Sequence, residues 1–343
     1  LLLMLPWASV KGAVTPFHEA LFTATSAVCV TGLVVQDTGS YWSSFGQAVI
    51  LLLIQTGGFG VVTVAAAVSM MSGRKISLMQ RSTMQNAISA PKVGGIVRLT
   101  KFILKGTFLI EGMGALLLLP VFCHDFGWKG IWMAVFHSIS AFCNAGFDIL
   151  GRKGHLYPSI VGYADNILVN GVIIGLIIIG GIGFLTWEDI CEYKWKFKNY
   201  RMQSKLILAT TVCLIIFPAC FFFFADFQYL PVKSRFLASV FQSVTPRTAG
   251  FNTVDITMMT EASKVVMILL MLIGGSPGST AGGMKTTTFA VLLLNAVATF
   301  KSQEHAGAFG RRIDDQVIKN AASIAMLYFM MFLAGGIVIS TAE

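Results

Sequence analysis

Phe136-His-Ser-Ile-Ser140-Ala141-Phe-Cys143-Asn144-Ala145-Gly146-Phe147 sets how the rest of the chain is read, because the stretch occurs three times. An earlier copy runs Phe22-Thr-Ala-Thr-Ser26-Ala27-Val-Cys29-Val30-Thr31-Gly32-Leu33, with Phe, Ser, Ala, Cys and Gly in register. A later copy runs Phe241-Gln-Ser-Val-Thr245-Pro246-Arg247-Thr248-Ala249-Gly250-Phe251, one residue shorter between Phe and Gly. The three glycines stand 114 and then 104 residues apart, the spacing of a repeated structural unit. Each copy closes a segment (about 13–28, 131–142 and 234–245) too short to cross a bilayer but long enough to dip in and return. After each copy comes a polar stretch and then an apolar one holding a glycine cluster: Gly57-Gly58-Phe-Gly60, Gly180-Gly181-Ile-Gly183 and Gly274-Gly275-Ser276-Pro277-Gly278. The unit therefore reads as helix, short half-helix, glycine turn, helix.

The surroundings of the repeat are those of a membrane protein. Of 343 residues, 55% are hydrophobic and 12% charged, against roughly 25% charged in soluble domains. Residues 38–73, 166–187, 206–225, 265–284 and 320–342 carry no charge, and 106–123 carry only Glu111. With about 20 apolar residues needed per spanning helix, this predicts at least six spans and an all-α polytopic membrane protein. A soluble enzyme is excluded. A nucleic-acid groove is excluded too, because the basic residues behind the net charge of +9 are thin and scattered. Seven of them fall between Gly73 and Lys105 without an acid, five between Lys194 and Lys205, and another group at Lys301, Arg311, Arg312 and Lys319. The positive-inside bias makes these three clusters cytoplasmic and 36–44, 124–130, 148–165 and 226–235 external. The six cysteines form no CxxC pair and read as small buried hydrophobes.

A chain that re-enters the membrane and turns there has free backbone carbonyls, tolerated only inside protein or along a watery path. Carbonyls that replace a hydration shell make a cation filter. Half-helix C-termini aim negative dipole ends at the same place. The turn side chains are mostly neutral, which favours a monovalent cation over calcium.

At these residues the sequence resembles the Trk/Ktr/HKT potassium transporters, most nearly the KtrB-type bacterial membrane subunit. Thr245-Pro-Arg-Thr-Ala-Gly-Phe-Asn-Thr253, Ser140–Phe147 and the Gly-Gly-x-Gly spans carry the likeness, which covers essentially the whole chain. It implies membrane helix–pore half-helix–filter loop–membrane helix units around a pseudo-fourfold pore. The filter residues would be Val30, Thr31, Gly32, Asn144, Ala145, Gly146, Thr248, Ala249 and Gly250, with potassium as the substrate held there. On this plan 1–72 is a first repeat with a truncated opening helix and 73–98 a basic cytoplasmic connector. Then come the second repeat at 99–187, a connector at 188–205, and the third repeat at 206–300 with a broken last helix. A connector at 301–315 leads to 316–343, the first helix of a fourth repeat whose remainder is expected beyond this chain. The resemblance further implies uptake across a bacterial inner membrane, a homodimer, a soluble RCK-type nucleotide-binding subunit docked on the basic cytoplasmic segments, and sodium as a coupling or activating ion. No cofactor and no enzyme activity are expected of the chain.

The third glycine cluster is longer than the others. Gly274, Gly275, Ser276, Pro277, Gly278, Ser279, Thr280, Ala281, Gly282, Gly283 and, past Met284, Lys285 cannot form a straight helix. By the same resemblance they form an intramembrane gate loop. Gly274-Gly-Ser276-Pro277-Gly278 also fits the G-x-S-x-G of a serine hydrolase, but Pro277 lacks the N–H that such an oxyanion hole uses. A phosphate loop fails because Met284 separates Gly283 from Lys285. The pore subunit of an ATP-driven potassium pump shares the repeat plan and is the nearer alternative. Arg247 is expected in a salt bridge behind its turn, with Glu261 or Asp255 as partner. Glu111 is expected to hydrogen-bond another helix, and His18 and His137 to be structural.

Overall fold

The computed structural model describes residues 1–60, 64, 82, 83, 85 and 95–342. Arg74, Lys75, Arg81 and Lys92 of the first basic cluster lie outside the described residues, while Arg98, Lys101 and Lys105 sit on the first turns of a helix.

All three half-helices form. α1 (Phe17–Cys29) starts after Pro16 and ends in the first turn, and α2 (Ser44–Phe59) returns, capped by the Ser43 hydroxyl. In the second repeat α3 (Ile96–Phe126) leads to α4 (Lys129–Phe142), and α5 (Ile167–Gly181), capped by Asn166, carries the chain back to α6 (Phe184–Tyr193). The third repeat uses α7 (Met202–Ala225), α8 (Val232–Val244), α9 (Glu261–Leu272) and α10 (Thr286–Phe300); α11 (Asp315–Ala342) follows a short hairpin of Gly307–Ala308 with Arg311–Arg312. Among the described residues α3, α7 and α11 are each long and apolar enough to cross a membrane. Leu116, Phe217 and Met331 on these helices are 66%, 72% and 75% exposed, which suits lipid and not water.

Glycine explains the close packing behind the turns. A Cβ on Gly180 would stand 2.0 Å from the Phe142 carbonyl oxygen, so α5 reaches the end of α4 only because that atom is missing. The second inner span is sharply broken, which hydropathy alone did not reveal: α5 and α6 meet at 99° around Ile182 and Gly183. Gly183 takes φ +89°, and the freed Phe184 N–H donates to the Gly278 carbonyl at 2.7 Å.

Two polar links join neighbouring helices. The Gln55 amide of α2 donates to both oxygens of Glu111 on α3 (2.9 and 3.2 Å), the interhelical bond expected of that acid. Arg201, just before α7, ties α6 to it through Glu188 (2.6 Å) and Asp189 (3.5 Å). The cysteine expectation holds only in part: Cys143 is buried and Cys123 half-buried, but Cys29, Cys191, Cys213 and Cys220 are exposed, and all six are free thiols. Long apolar helices whose outer faces meet lipid have room for cysteine there as well as inside.

Gly180→Ala should cost stability by overpacking, by about 1–3 kcal/mol, read as a lower melting temperature of the detergent-solubilised full-length protein beside a Gly181→Ala control, where a Cβ meets nothing within 4 Å.

Candidate functional site

Each half-helix ends in a turn built the same way. Val30 (φ +57°) and Gly32 (φ +76°) are left-handed while Thr31 between them is not; Asn144 (+58°) and Gly146 (+70°) flank Ala145, and Thr248 (+90°) and Gly250 (+80°) flank Ala249. Alternating handedness turns successive carbonyls toward one side of the chain, where a regular strand would send them to opposite sides. Glycine takes such φ freely, whereas Val30 and Thr248, both β-branched, do so only when the surrounding fold over-determines them.

The three turns meet. A Cβ on Gly32 would lie 2.5 Å from the Ala145 carbonyl oxygen, and one on Gly146 would lie 2.3 Å from the Ala249 carbonyl oxygen. The second turn therefore touches the first and the third, backbone against backbone, with no room for a side chain. All nine residues expected at the turns, Val30–Gly32, Asn144–Gly146 and Thr248–Gly250, fall in these turns.

Hydroxyls at one repeat position hold the turns, and the sequence comparison did not assign them a role. Ser26, Ser140 and Thr245 each stand four residues after the repeat's Phe. Their carbonyls accept from the turns: Thr31 N (2.9 Å), Ala145 N (2.8 Å), and Ala249 and Gly250 N (3.0 and 3.2 Å). Ser140 and Thr245 also donate to the carbonyls of Phe147 and Phe251 (2.7 and 2.6 Å), while Ser26 accepts from the Thr31 hydroxyl (2.9 Å). The residue missing from the third copy is thus absorbed before Ala249, with Thr245 serving two donors. The shared Phe-x-x-x-Ser/Thr pattern was the available signal.

Below the turns, residues 273–285 leave the helix between α9 and α10, as the glycine and proline content requires. The loop closes on itself through Gly274 N to Met284 O (2.9 Å) and Gly275 N to Gly282 O (3.0 Å), and Lys285 folds back to donate to Ala281 O (2.9 Å). Ser276 shares a hydrogen bond with Thr286 (3.0 Å). The loop also fills the break in the second repeat: Ser276 N donates to Gly181 O (2.9 Å) and Thr280 N to Gly180 O (3.2 Å).

Arg247 differs from expectation. Glu261 pairs with Lys264 (2.8 Å) and Asp255 accepts from Thr257, so neither serves Arg247. Its guanidinium instead reaches the Gly274 carbonyl at 3.5 Å, and Nε has no partner among the described residues. Both acids are exposed, Glu261 on the first turn of α9 and Asp255 at the head of the short turn Ile256–Met258 before it, away from the buried Arg247. His137 is buried with Nδ1 2.7 Å from the Met133 carbonyl, whereas His18 is exposed.

On the other side of the second turn, Asp37 accepts from Ser40 N (2.8 Å) and Tyr157 N (2.9 Å), joining the outer loops of two repeats. Asp148 follows the turn directly, and burial pushes its carboxyl up to about 6, helped by the nearby Asp37 charge.

Fold and site together define a multi-pass membrane protein with a cluster of backbone carbonyls at the ends of half-helices. The chain belongs to the TrkH family of cation transport proteins, whose model matches residues 3–343. It is 38% identical to the potassium/sodium uptake protein NtpJ of Enterococcus hirae over 348 residues, covering 100% of this chain and 76% of that protein. It is 37% identical to the Ktr system potassium uptake protein B of Bacillus subtilis, covering 97% of this chain and 74% of that one. The crystal structure of the potassium transporter TrkH from Vibrio parahaemolyticus superposes with a TM-score of 0.72 at 19% identity, over 94% of this chain and 64% of that one, so this chain spans just under two thirds of it.

Because the folded state raises the Asp148 pKa, it binds the proton more tightly than the unfolded chain. The associated stability is complete below roughly pH 4 and is lost as pH rises through about 6. Asp148→Asn should flatten the fall in melting temperature between those two pH values; an unchanged profile would place the titration elsewhere.

Proposed function

We propose that the chain forms most of the pore of a potassium-uptake protein. The observation that carries this is the contact of three left-handed glycine turns, carbonyl against glycine, at the C-terminal ends of three half-helices. The names of the relatives, a potassium/sodium uptake protein and a Ktr potassium uptake protein, support potassium as the substrate.

The ion sheds water and is held by carbonyls of Val30–Gly32, Asn144–Gly146 and Thr248–Gly250, with a fourth turn supplied outside this segment completing a pseudo-fourfold ring. No carboxylate stands in the three turns, so selectivity comes from the number and spacing of carbonyls, which suits a monovalent, weakly hydrated cation. Each half-helix adds about half a negative charge at its C-terminal end. The Ser26, Ser140 and Thr245 hydroxyls and carbonyls keep the spacing fixed. Sodium acts as a coupling or activating ion.

Residues 274–285 form the gate. They lie at the level where α5 breaks, bonded to both sides of that break and, through Arg247, to the third turn. A soluble RCK-type nucleotide-binding subunit docks on the basic cytoplasmic segments around Arg74–Lys105 and Lys194–Lys205 and moves this loop through α6 and α10. Charge complementarity sets that docking and makes it salt-sensitive. The working unit is a homodimer. The family match favours this assignment over the pore subunit of an ATP-driven pump.

Two measurements test it. Gly146→Ser places a side chain where 2.3 Å is available, so it should lower the potassium-to-sodium flux ratio of the full-length protein in liposomes by roughly tenfold or more, about 1.4 kcal/mol of lost discrimination; a wild-type ratio in folded protein would remove Gly146 from the filter. Deleting three to five residues within 276–282 should raise potassium flux, because an obstruction goes while the turns remain; a fall in flux in well-folded protein would make the loop structural.

A further inference from the structure

The loop below the turns is bonded mainly through its backbone. One loop side chain reaches the second turn. The Thr280 hydroxyl donates to the Phe142 carbonyl at 2.9 Å and accepts from Asn144 Nδ2 at 3.0 Å. Phe142 is the last residue of α4 and Asn144 the first of the second turn, so a single hydroxyl spans the half-helix end and the turn. The pairing is chemically complementary: the O–H has one acceptor and the oxygen one donor. Thr280 is buried, as is Asn144.

Other observations point the same way. Asn144 holds φ +58°, a conformation that L-residues avoid and that asparagine tolerates best after glycine. Its amide has only longer alternatives, to Phe142 O (3.4 Å) and Ile177 O (3.5 Å), and its Oδ1 has no partner among the described residues. Thr280 is thus the good partner of a strained turn residue. Gly180 leaves the space for this: a Cβ there would lie 2.8 Å from Thr280 Oγ1 and 3.1 Å from Asn144 Nδ2. The counterparts of Asn144 make no such bond, since Val30 has no polar side chain and the Thr248 hydroxyl is unpartnered among the described residues. Among the described residues, Arg247 to Gly274 is the other side-chain hydrogen bond between a turn and the loop, and at 3.5 Å it is long.

We propose that Thr280 is a positioning residue that clasps the gate loop to the second filter turn, so that gate opening and ion discrimination are coupled through Asn144. The inference rests on reading 274–285 as the gate. When the loop leaves, Asn144 loses its partner and the left-handed turn is free to relax. Coupling is reciprocal, so an ion that steadies the turn also steadies the loop.

The test uses the full-length protein in liposomes, with potassium and sodium fluxes measured separately for wild type, Thr280→Val and Thr280→Ser. Valine keeps the shape and removes both bonds, whereas serine keeps the hydroxyl. Thr280→Val should raise potassium flux several-fold and lower the potassium-to-sodium ratio several-fold, and Thr280→Ser should restore both. A raised flux with an unchanged ratio overturns the coupling and leaves the gate intact. A lowered flux overturns the gate as well. A second measurement needs no variant: hydrogen exchange of the 274–284 amides in wild-type protein should be slower in potassium than in choline, and equal exchange in the two overturns the proposal.

Discussion

The packing of this chain turns on one constraint: three stretches of irregular backbone must meet, the carbonyl of one against the glycine of the next. Backbone of that kind is costly in lipid and survives only when surrounded by protein. The half-helices deliver the turns, and the hydroxyl position after each Phe fixes their shape. Gly32 and Gly146 give up side chains so that the Ala145 and Ala249 carbonyls can approach. Phe136, Phe142, Phe147, Phe241 and Phe251 bury the assembly from behind. The spanning helices α3, α7 and α11 spend their outward faces on exposed apolar side chains, which a membrane satisfies at no cost.

The broken helices follow from the same constraint. An unbroken α5–α6 or α9–α10 would carry its hydrogen bonds straight through the level of the loop. Breaking both at glycine lets the two irregular segments satisfy each other, Phe184 N with Gly278 O and Ser276 N with Gly181 O. On the gating proposed for this loop, these directional bonds are the ones that would break while the helices on either side stay folded. That combination of buried irregular backbone and a small number of directional bonds is what a two-position element needs.

Much of the fold was legible because a threefold repeat fixes register better than any single motif. The half-helices at Phe17–Cys29, Lys129–Phe142 and Val232–Val244 lie within a few residues of the stretches read from length and hydropathy. The turn residues were marked by Gly32, Gly146 and Gly250 in register. Other features were not legible. The 99° bend at Gly181–Gly183 depends on a partner more than ninety residues away, and hydropathy carries no information about it. Arg247 was assigned a carboxylate because a buried charge usually has one, but its guanidinium reaches the backbone carbonyl of Gly274, while Glu261 pairs with Lys264 and Asp255 with Thr257. Thr280 is one hydroxyl in a Gly/Ser/Thr run, and only its contacts in three dimensions separate it from Ser276 and Ser279.

The central claim is that backbone carbonyls of three equivalent turns hold the ion. Anomalous scattering from crystals of the full-length protein grown in thallium, a stand-in for potassium, tests it most directly. Peaks on a line between the carbonyls of Val30–Gly32, Asn144–Gly146 and Thr248–Gly250, removable by exchange with potassium, are the predicted result. Strong peaks confined to carboxylates such as Glu111, Asp37 or Asp148, with none among the turns, would contradict it.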